Sequence, residues 1–239
     1  GVPNLKLSLF ELEYNSENVS MFPSIVMTIY MTVLTLIITT PLGIGCAIYL
    51  TEYAKRGNKV VEVIRLAAET LSGIPSIVYG LFGMLFFVTA LQWKNSILAG
   101  SCTLAIMVLP LIIRSTEEAL KSVPDSYREA SFGLGAGKLR TVVRVVLPPA
   151  MPGIVAGVIL AVGRIVGETA ALIYTAGTVA KITINPMESA RTLAVHMYAL
   201  SSEGLHTSEA FATGVVLLLV VLMLNATSNA IAKRITKGK

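Results

Sequence analysis

Five apolar stretches constrain this chain more than anything else in it. They run Ser24–Leu50, Gly73–Leu91, Ile97–Ile113, Gly153–Thr178 and Ala210–Ile231, and a membrane crossing needs roughly 20 apolar residues. Inside a bilayer every backbone polar group must be satisfied within the chain, so segments of this kind fold as helices. The expected fold class is an all-α polytopic membrane protein with five visible crossings. Charge content agrees: 14% of the 239 residues are charged and the mean hydropathy is +0.73, whereas soluble domains carry about 25% charged residues. Pro41, Gly43 and Gly45 inside the first stretch predict a kink or break there. The third stretch is short for a crossing. Cys46 and Cys102 lie in apolar runs and read as small packing residues, not as a disulfide or a metal pair.

The basic residues give the orientation. Lys55, Arg56, Lys59 and Arg65 occupy one connection, and Arg114, Lys121, Arg128, Lys138, Arg140 and Arg144 another. With Lys233, Arg234, Lys237 and Lys239 at the end, these make fourteen of the nineteen. The opposite side holds Lys6, Lys94, Lys181 and Arg191. Lysine and arginine concentrate on the cytoplasmic side, so the net charge of +5 reads as membrane orientation and not as a nucleic-acid surface. The loop at about 117–149 is then cytoplasmic. The excursion at about 180–209 is extracytoplasmic, with a short amphipathic helix expected near Ala190–Leu200. The opening Gly1-Val2-Pro3 falls outside without a cleavable leader, which predicts one further helix upstream. Residues 1–239 read as a single membrane domain. Val60, Val61, Ile64 and Leu66 among Glu62, Arg65 and Glu69 describe an interfacial or partly inserted helix between Gly57 and Ser72, or equally a solvated connector.

A spaced pattern stands in the longest cytoplasmic loop: Glu129-Ala130-Ser131, three residues, Gly135, nine residues, then Val145-Val146-Leu147-Pro148. Small residues at 130 and 131 let a short helix sink into a partner's groove, and Gly135 supplies a turn that residues with a Cβ resist. Pro148 and Pro149 are expected to stop one helix where the next begins. The pattern resembles the EAA loop by which permease subunits of ABC importers engage their ATPase, with Ser131 and Val145 as size-conserving departures. Gly133 through Lys138 is glycine-rich but lacks the spacing and the Ser/Thr of a nucleotide-binding loop, so no ATP hydrolysis is expected of this chain. His196 and His206 have no second ligand at metal spacing, and neither a metal nor a cofactor is expected.

Two charges fall within the fourth apolar stretch. Arg164 lies eleven residues beyond Gly153, about 16 Å along a helix and near the middle of a 30 Å core. Arg164 and Glu168 facing lipid would cost about 5–7 kcal/mol together. Their spacing of four places both on one helical face. Two readings stand: a self-neutralising pair that locks the helices, or a substrate path. In the second, the guanidinium fork suits a tetrahedral oxyanion. Glu168 then favours an anion carrying a proton it can donate, as hydrogen phosphate does and sulfate at neutral pH does not. Gly153/Gly157 and Gly163/Gly167 are small pairs of the sort that let helices approach closely. In Gly73–Gly83, Pro75 and the glycines weaken a membrane helix while Ser76 and Tyr79 bring hydroxyls. That stretch reads as a gate or path element, or simply as a helix that starts at Pro75. Arg114, Glu117 and Glu118 read as helix-end charges.

Several segments together resemble the PstA-type permease subunits of phosphate ABC importers. They are Pro41 through Gly45 with Ala47 through Tyr53, Gly73 through Gly83, Leu109-Pro110 with Arg114 through Ala119, and Gly167-Glu168-Thr169-Ala170. The similarity runs from Ser24 to Ile231. It implies a type I importer permease of MetI-like helical-bundle fold in the inner membrane. It further implies a sister permease as heterodimer partner, two copies of a cytoplasmic ATPase, and an extracytoplasmic phosphate-binding protein. The substrate path would include Arg164, Glu168, Thr169, Ser76 and Tyr79. ATPase coupling would fall to Glu129, Ala130, Ser131, Gly135, Leu147 and Pro148. A permease for sulfate or molybdate, the sister phosphate subunit, and a secondary transporter or channel are the alternatives.

Overall fold

The computed structural model describes residues 7–15, 18–55, 57–204 and 206–237, with the side chains of 7, 228 and 231–237 outside the description. Of the basic residues that give the orientation, Lys6, Arg56 and Lys239 and the side chains of Lys233, Arg234 and Lys237 lie outside it, as does Gly1–Pro3. Regular structure among the described residues is entirely helical. Four helical runs are long and apolar enough to cross a membrane: Phe22–Tyr53, Ile97–Lys121, Lys138–Val166 and Thr207–Thr227. Lys59–Ser72 and Ser76–Ala90, joined through Gly73–Pro75, count as a fifth if the pair is one bent crossing.

Helix α1 covers Phe22–Ile48 and continues in π form over Tyr49–Tyr53. The expected break at Pro41 does not occur. A proline removes a single ladder bond, and Gly43 serves contact: a Cβ there would lie 2.7 Å from Ile112 Cγ2. Helix α2, Lys59–Ser72, forms where the interfacial helix is expected, with the Asn58 side chain accepting from Val60 N at its start. Helix α3 runs Ser76–Gly83 from an extended Pro75, then continues in π form to Ala90, so Pro75 does mark a helix start.

Helix α4, Ile97–Lys121, is not short. Its polar extension beyond Ile113 is held by ion pairs, Arg114 to Glu118 at 3.2 Å and Lys121 to Glu117 at 3.7 Å, of the spacing that stabilises helices. Glu117 is moreover not a solvated helix-end charge. Its side chain is 9% exposed and receives Arg65 of α2 at 2.9 Å. Helices α5 (Asp125–Gly133) and α6 (Lys138–Thr141) build the loop at about 117–149, and α7 spans Leu147–Val166. The stop expected at Pro148 and Pro149 is absent, because Lys138–Val166 is helical throughout. A π segment at Val142–Val146 widens the turn just ahead of the two residues that have no N–H to donate.

The fourth apolar stretch is two helices, not one. Helix α7 ends at Val166, Gly167–Thr169 is non-helical, and α8 covers Ala170–Thr175. Helix α9, Leu193–Glu203, is capped by Thr192 accepting from Val195 N, and ends at Gly204 with φ +72°. The short helix expected near Ala190–Leu200 forms here, but its start is not amphipathic: Leu193 through His196 are buried in succession, all round its first turn. Helix α10 runs Thr207–Lys237.

The residues group into two compact units, and four of the helices, α1, α4, α7 and α10, contribute to both. One unit comprises Gly1–Ile38, Ile74–Met107 and Val162–Asn225. Leu9, Met21, Leu193, Ala212 and Val216 form a core there, and Thr28 Oγ1 accepts from Leu193 N at 2.8 Å. The other comprises Thr39–Gly73, Val108–Ala161 and Ala226–Lys239. It has one core around Leu120, Val146 and Ile154 and another around Ala47, Leu50 and Val61. Gly153 and Gly157 do bring α7 against α4 here, at Ala119 and Ser115. The second glycine pair does not pack, since nothing stands within 4 Å of a Cβ at Gly163.

Candidate functional site in the broken helix and the loop around Glu129

The first candidate site belongs to the unit containing Val162–Asn225. Helix α7 stops two residues past Arg164, where a cation meets the partial negative charge of the helix C-terminus. Gly167 follows, and Glu168 turns back so that its Oε1 accepts from Ala171 N at 3.2 Å. The carboxylate thus caps α8, whose own N-cap Thr169 makes no side-chain cap bond. This overturns the single-face arrangement of Arg164 and Glu168, because the helix ends between them. Among the described residues no ion pair joins the two, and Arg164 makes neither an ion pair nor a hydrogen bond. Arg164 is half-buried, and Glu168 is 9% exposed.

Helix α3 is brought to this break by Gly80. A Cβ at Gly80 would stand 2.9 Å from Ala171 Cα and 3.1 Å from Ala170 O, so only glycine permits the approach. That approach buries Tyr79, one position before Gly80, and Arg164 is an electrostatic neighbour of Tyr79. Ser76, in the first turn of α3, is half-buried. Thr169 faces another space, an apolar cavity of about 380 Å³ shared with Met197, Tyr198 and Phe211. The structure therefore draws Arg164, Tyr79 and Glu168 to one break, with Thr169 at a neighbouring cavity. A half-buried guanidinium with unused donors, next to a phenol and a carboxylate, can hold a small oxyanion.

The second candidate site is the loop at about 117–149, in the other unit. Gly135 has φ +81°, the left-handed region that favours glycine, and reverses the chain between α5 and α6. Glu129 and Ala130 are exposed. Ser131 is 8% exposed, and its hydroxyl lies 2.8 Å from Thr141 Oγ1, tying α5 to α6 at the wall of the groove beside Leu134. Leu147 and Pro148 lie half-buried in the first turn of α7. An apolar-walled groove of about 540 Å³ runs past Tyr127, Ala130, Leu134, Gly135 and Val145, and Leu134 is 89% exposed beside it.

Sequence reasoning missed the anchor of this loop. Arg128 donates to Glu52 through Nε and Nη2, and to the carbonyls of Val123 and Leu120. Glu52 holds the Arg128 proton even more firmly than usual. The available signal was an arginine directly before Glu129, with an acid just past the first apolar stretch.

Comparison with known proteins gives the family and the fold. Residues 39–238 match the family described as binding-protein-dependent transport system inner membrane component. The probable ABC transporter permease protein YqgI of Bacillus subtilis is 39% identical over 224 residues, covering 87% of this chain and 76% of the relative. The phosphate transport system permease protein PstA 1 of Mycobacterium tuberculosis is 40% identical over 141 residues, 59% of this chain. The match spans 46% of that relative's length. The permease fold of an inward-facing MetNI methionine ABC transporter superposes with a TM-score of 0.72 at 20% identity, covering 91% of this chain and 94% of the other.

Proposed function

Because the chain belongs to the family of binding-protein-dependent transport system inner membrane components, multi-pass permeases of ABC transporters, we propose that it conducts inorganic phosphate inward across the cytoplasmic membrane. One observation carries the choice of an oxyanion: Arg164, half-buried at a helix break, has no internal counter-ion among the described residues. A charge at membrane depth is retained where it serves a path or a partner. Glu168 spends Oε1 on Ala171 N and keeps lone pairs on Oε2 for a donor. Hydrogen phosphate offers that donor and sulfate at neutral pH does not. Phosphate permeases among the relatives point the same way.

In this reading the chain pairs with a sister permease, two copies of a cytoplasmic ATPase and an extracytoplasmic phosphate-binding protein. The groove beside Leu134 and the exposed Glu129 and Ala130 receive the ATPase, and Gly135, Leu147 and Pro148 shape the element that moves with it. Closure of the ATPase pair pulls this element, and the permease alternates its access. Each partner shifts that equilibrium only through its differential affinity for the two states. Arg164, Glu168, Tyr79, Ser76 and Thr169 line the path.

Uptake of labelled phosphate by cells carrying Arg164→Ala tests the reading. The expected result is loss of uptake with unchanged co-purification of the other subunits. Retained uptake overturns the role of Arg164. Competition by sulfate or molybdate as strong as that by phosphate overturns the substrate.

A further inference from the structure

The unit holding the cytoplasmic loop contains a cavity that none of the roles above uses. It measures about 590 Å³ and is lined by the π-helical end of α1, by α2 and by the start of the loop. Its bases are Lys55, Arg65, Lys121, Arg128 and Lys138. Most of the acids in or behind it are already engaged. Glu52 and Asp125 both bind Arg128, and Glu117 takes Arg65 and Lys121. Glu62 stands exposed on α2. Lys55 and Lys138 have no ion pair among the described residues, and Lys138 Nζ rests 5.2 Å from the centre of the Tyr53 ring.

Helix α2 supplies the second observation. It turns Val61 inward and Asn58, Glu62 and Arg65 to the cavity, while leaving Val60, Val63 and Leu66 at 61%, 64% and 65% exposure. Those three recur every third residue along one side. A helix with an apolar stripe outward and basic residues beside it lies in the membrane interface. The basic connections place this end of the chain at the cytoplasmic leaflet, where anionic lipids gather and basic pockets bind their head groups.

We propose that this cavity is a binding site for an anionic glycerophospholipid of the cytoplasmic leaflet. The phosphodiester head group is held by Lys55 and Lys138, and the acyl chains lie along Val60, Val63 and Leu66. The site lies where α2 meets the Glu52–Arg128 anchor, so an occupying lipid braces the loop from the membrane side. Neither the identity of the transported substrate nor the role of Arg164 enters this inference.

The test uses the full chain purified with its co-extracting subunits in lipid nanodiscs, offered photoreactive phosphatidylglycerol or phosphatidylcholine at equal fraction. Labelling of the 59–72 peptide is read by mass spectrometry. Phosphatidylglycerol should label this peptide in excess. Lys55→Gln should cut the excess roughly fivefold, and adding Lys138→Gln should bring it to the phosphatidylcholine level. Equal labelling of the wild-type protein by the two lipids overturns the proposal, and needs no variant to assemble. Loss of the excess on adding inorganic phosphate assigns the cavity to free phosphate and overturns it as well. So does a carboxylate cross-link from a co-purifying subunit to Lys55 in place of lipid label.

Discussion

Arg128 grips Glu52 across 76 residues of sequence, Nη2 to Oε1 at 2.7 Å and Nε to each carboxylate oxygen at 3.2 Å. Both side chains are largely shielded, at 14% and 7% exposure. The pair fastens α5, the first helix of the loop, to the π-helical end of α1. Removing one partner of a buried pair strands the other charge, at a cost of about 3 kcal/mol. Glu52→Gln and Arg128→Met should each lower thermal stability by that order. The double variant should cost less than the sum of the two. Additive losses in a double-mutant cycle would show that the pair is not a coupled anchor.

Two glycines in the other unit, Gly80 and Gly163, should behave oppositely. At Gly80 a methyl group meets backbone atoms of Ala170 and Ala171 that cannot swing aside, so Gly80→Ala should cost about 1–3 kcal/mol and should depress uptake by moving α3 off the break. At Gly163 a methyl group meets nothing within 4 Å, and Gly163→Ala should change stability by less than about 0.5 kcal/mol. Thermal unfolding of the purified variants decides. A harmless Gly80→Ala would mean that α3 and α8 are not in close contact.

Apolar runs made the helices legible, because a bilayer leaves a chain few other options. The loop motif was legible because its spacing is local and its Gly135 is a backbone requirement. The break at Gly167–Thr169 was not, since apolar residues stand on both sides of this short Gly-Glu-Thr interruption and only the turned-back Glu168 carboxylate reveals a new helix start. Pro148 and Pro149 misled for the converse reason: a π turn at Val142–Val146 absorbed them, and nothing in local composition marks such a turn. The Glu52–Arg128 and Arg65–Glu117 pairs join distant segments, which periodicity and spacing cannot report.

His196 offers a measurable pH signature. It is completely buried, Tyr14 meets its ring edge-on, and burial together with the Arg191 charge pushes its pKa down to about 3. The unfolded chain takes up that proton near pH 6.5. Between these values the unfolded state binds more protons, so the stability contribution is complete above about 6.5 and is lost as pH falls through 6.5 toward 3. Stability of the purified protein, followed by melting at a series of pH values, should fall in acid by up to about 1.4 kcal/mol per pH unit through this residue. His196→Gln should remove that share of the slope. An unchanged slope in the variant would show that His196 is protonated in the folded state.

Arg164 and Glu168 can be told apart by removing both charges. If they were a self-neutralising pair, Arg164→Gln with Glu168→Gln would restore what either change alone destroys, because no lone charge would remain in the membrane. The structure instead gives them different work. Glu168 caps Ala171 N, a bond that a glutamine oxygen can also accept, so Glu168→Gln should preserve the break and the assembled complex. Arg164 has no internal hydrogen-bond partner to lose among the described residues. Its replacement by glutamine should reduce phosphate uptake roughly 30-fold or more, the equivalent of about 2 kcal/mol for a charged hydrogen bond to the substrate. The double variant should stay as impaired as Arg164→Gln. Recovery of uptake in the double variant would return the two residues to a structural pair and remove the oxyanion from the helix break.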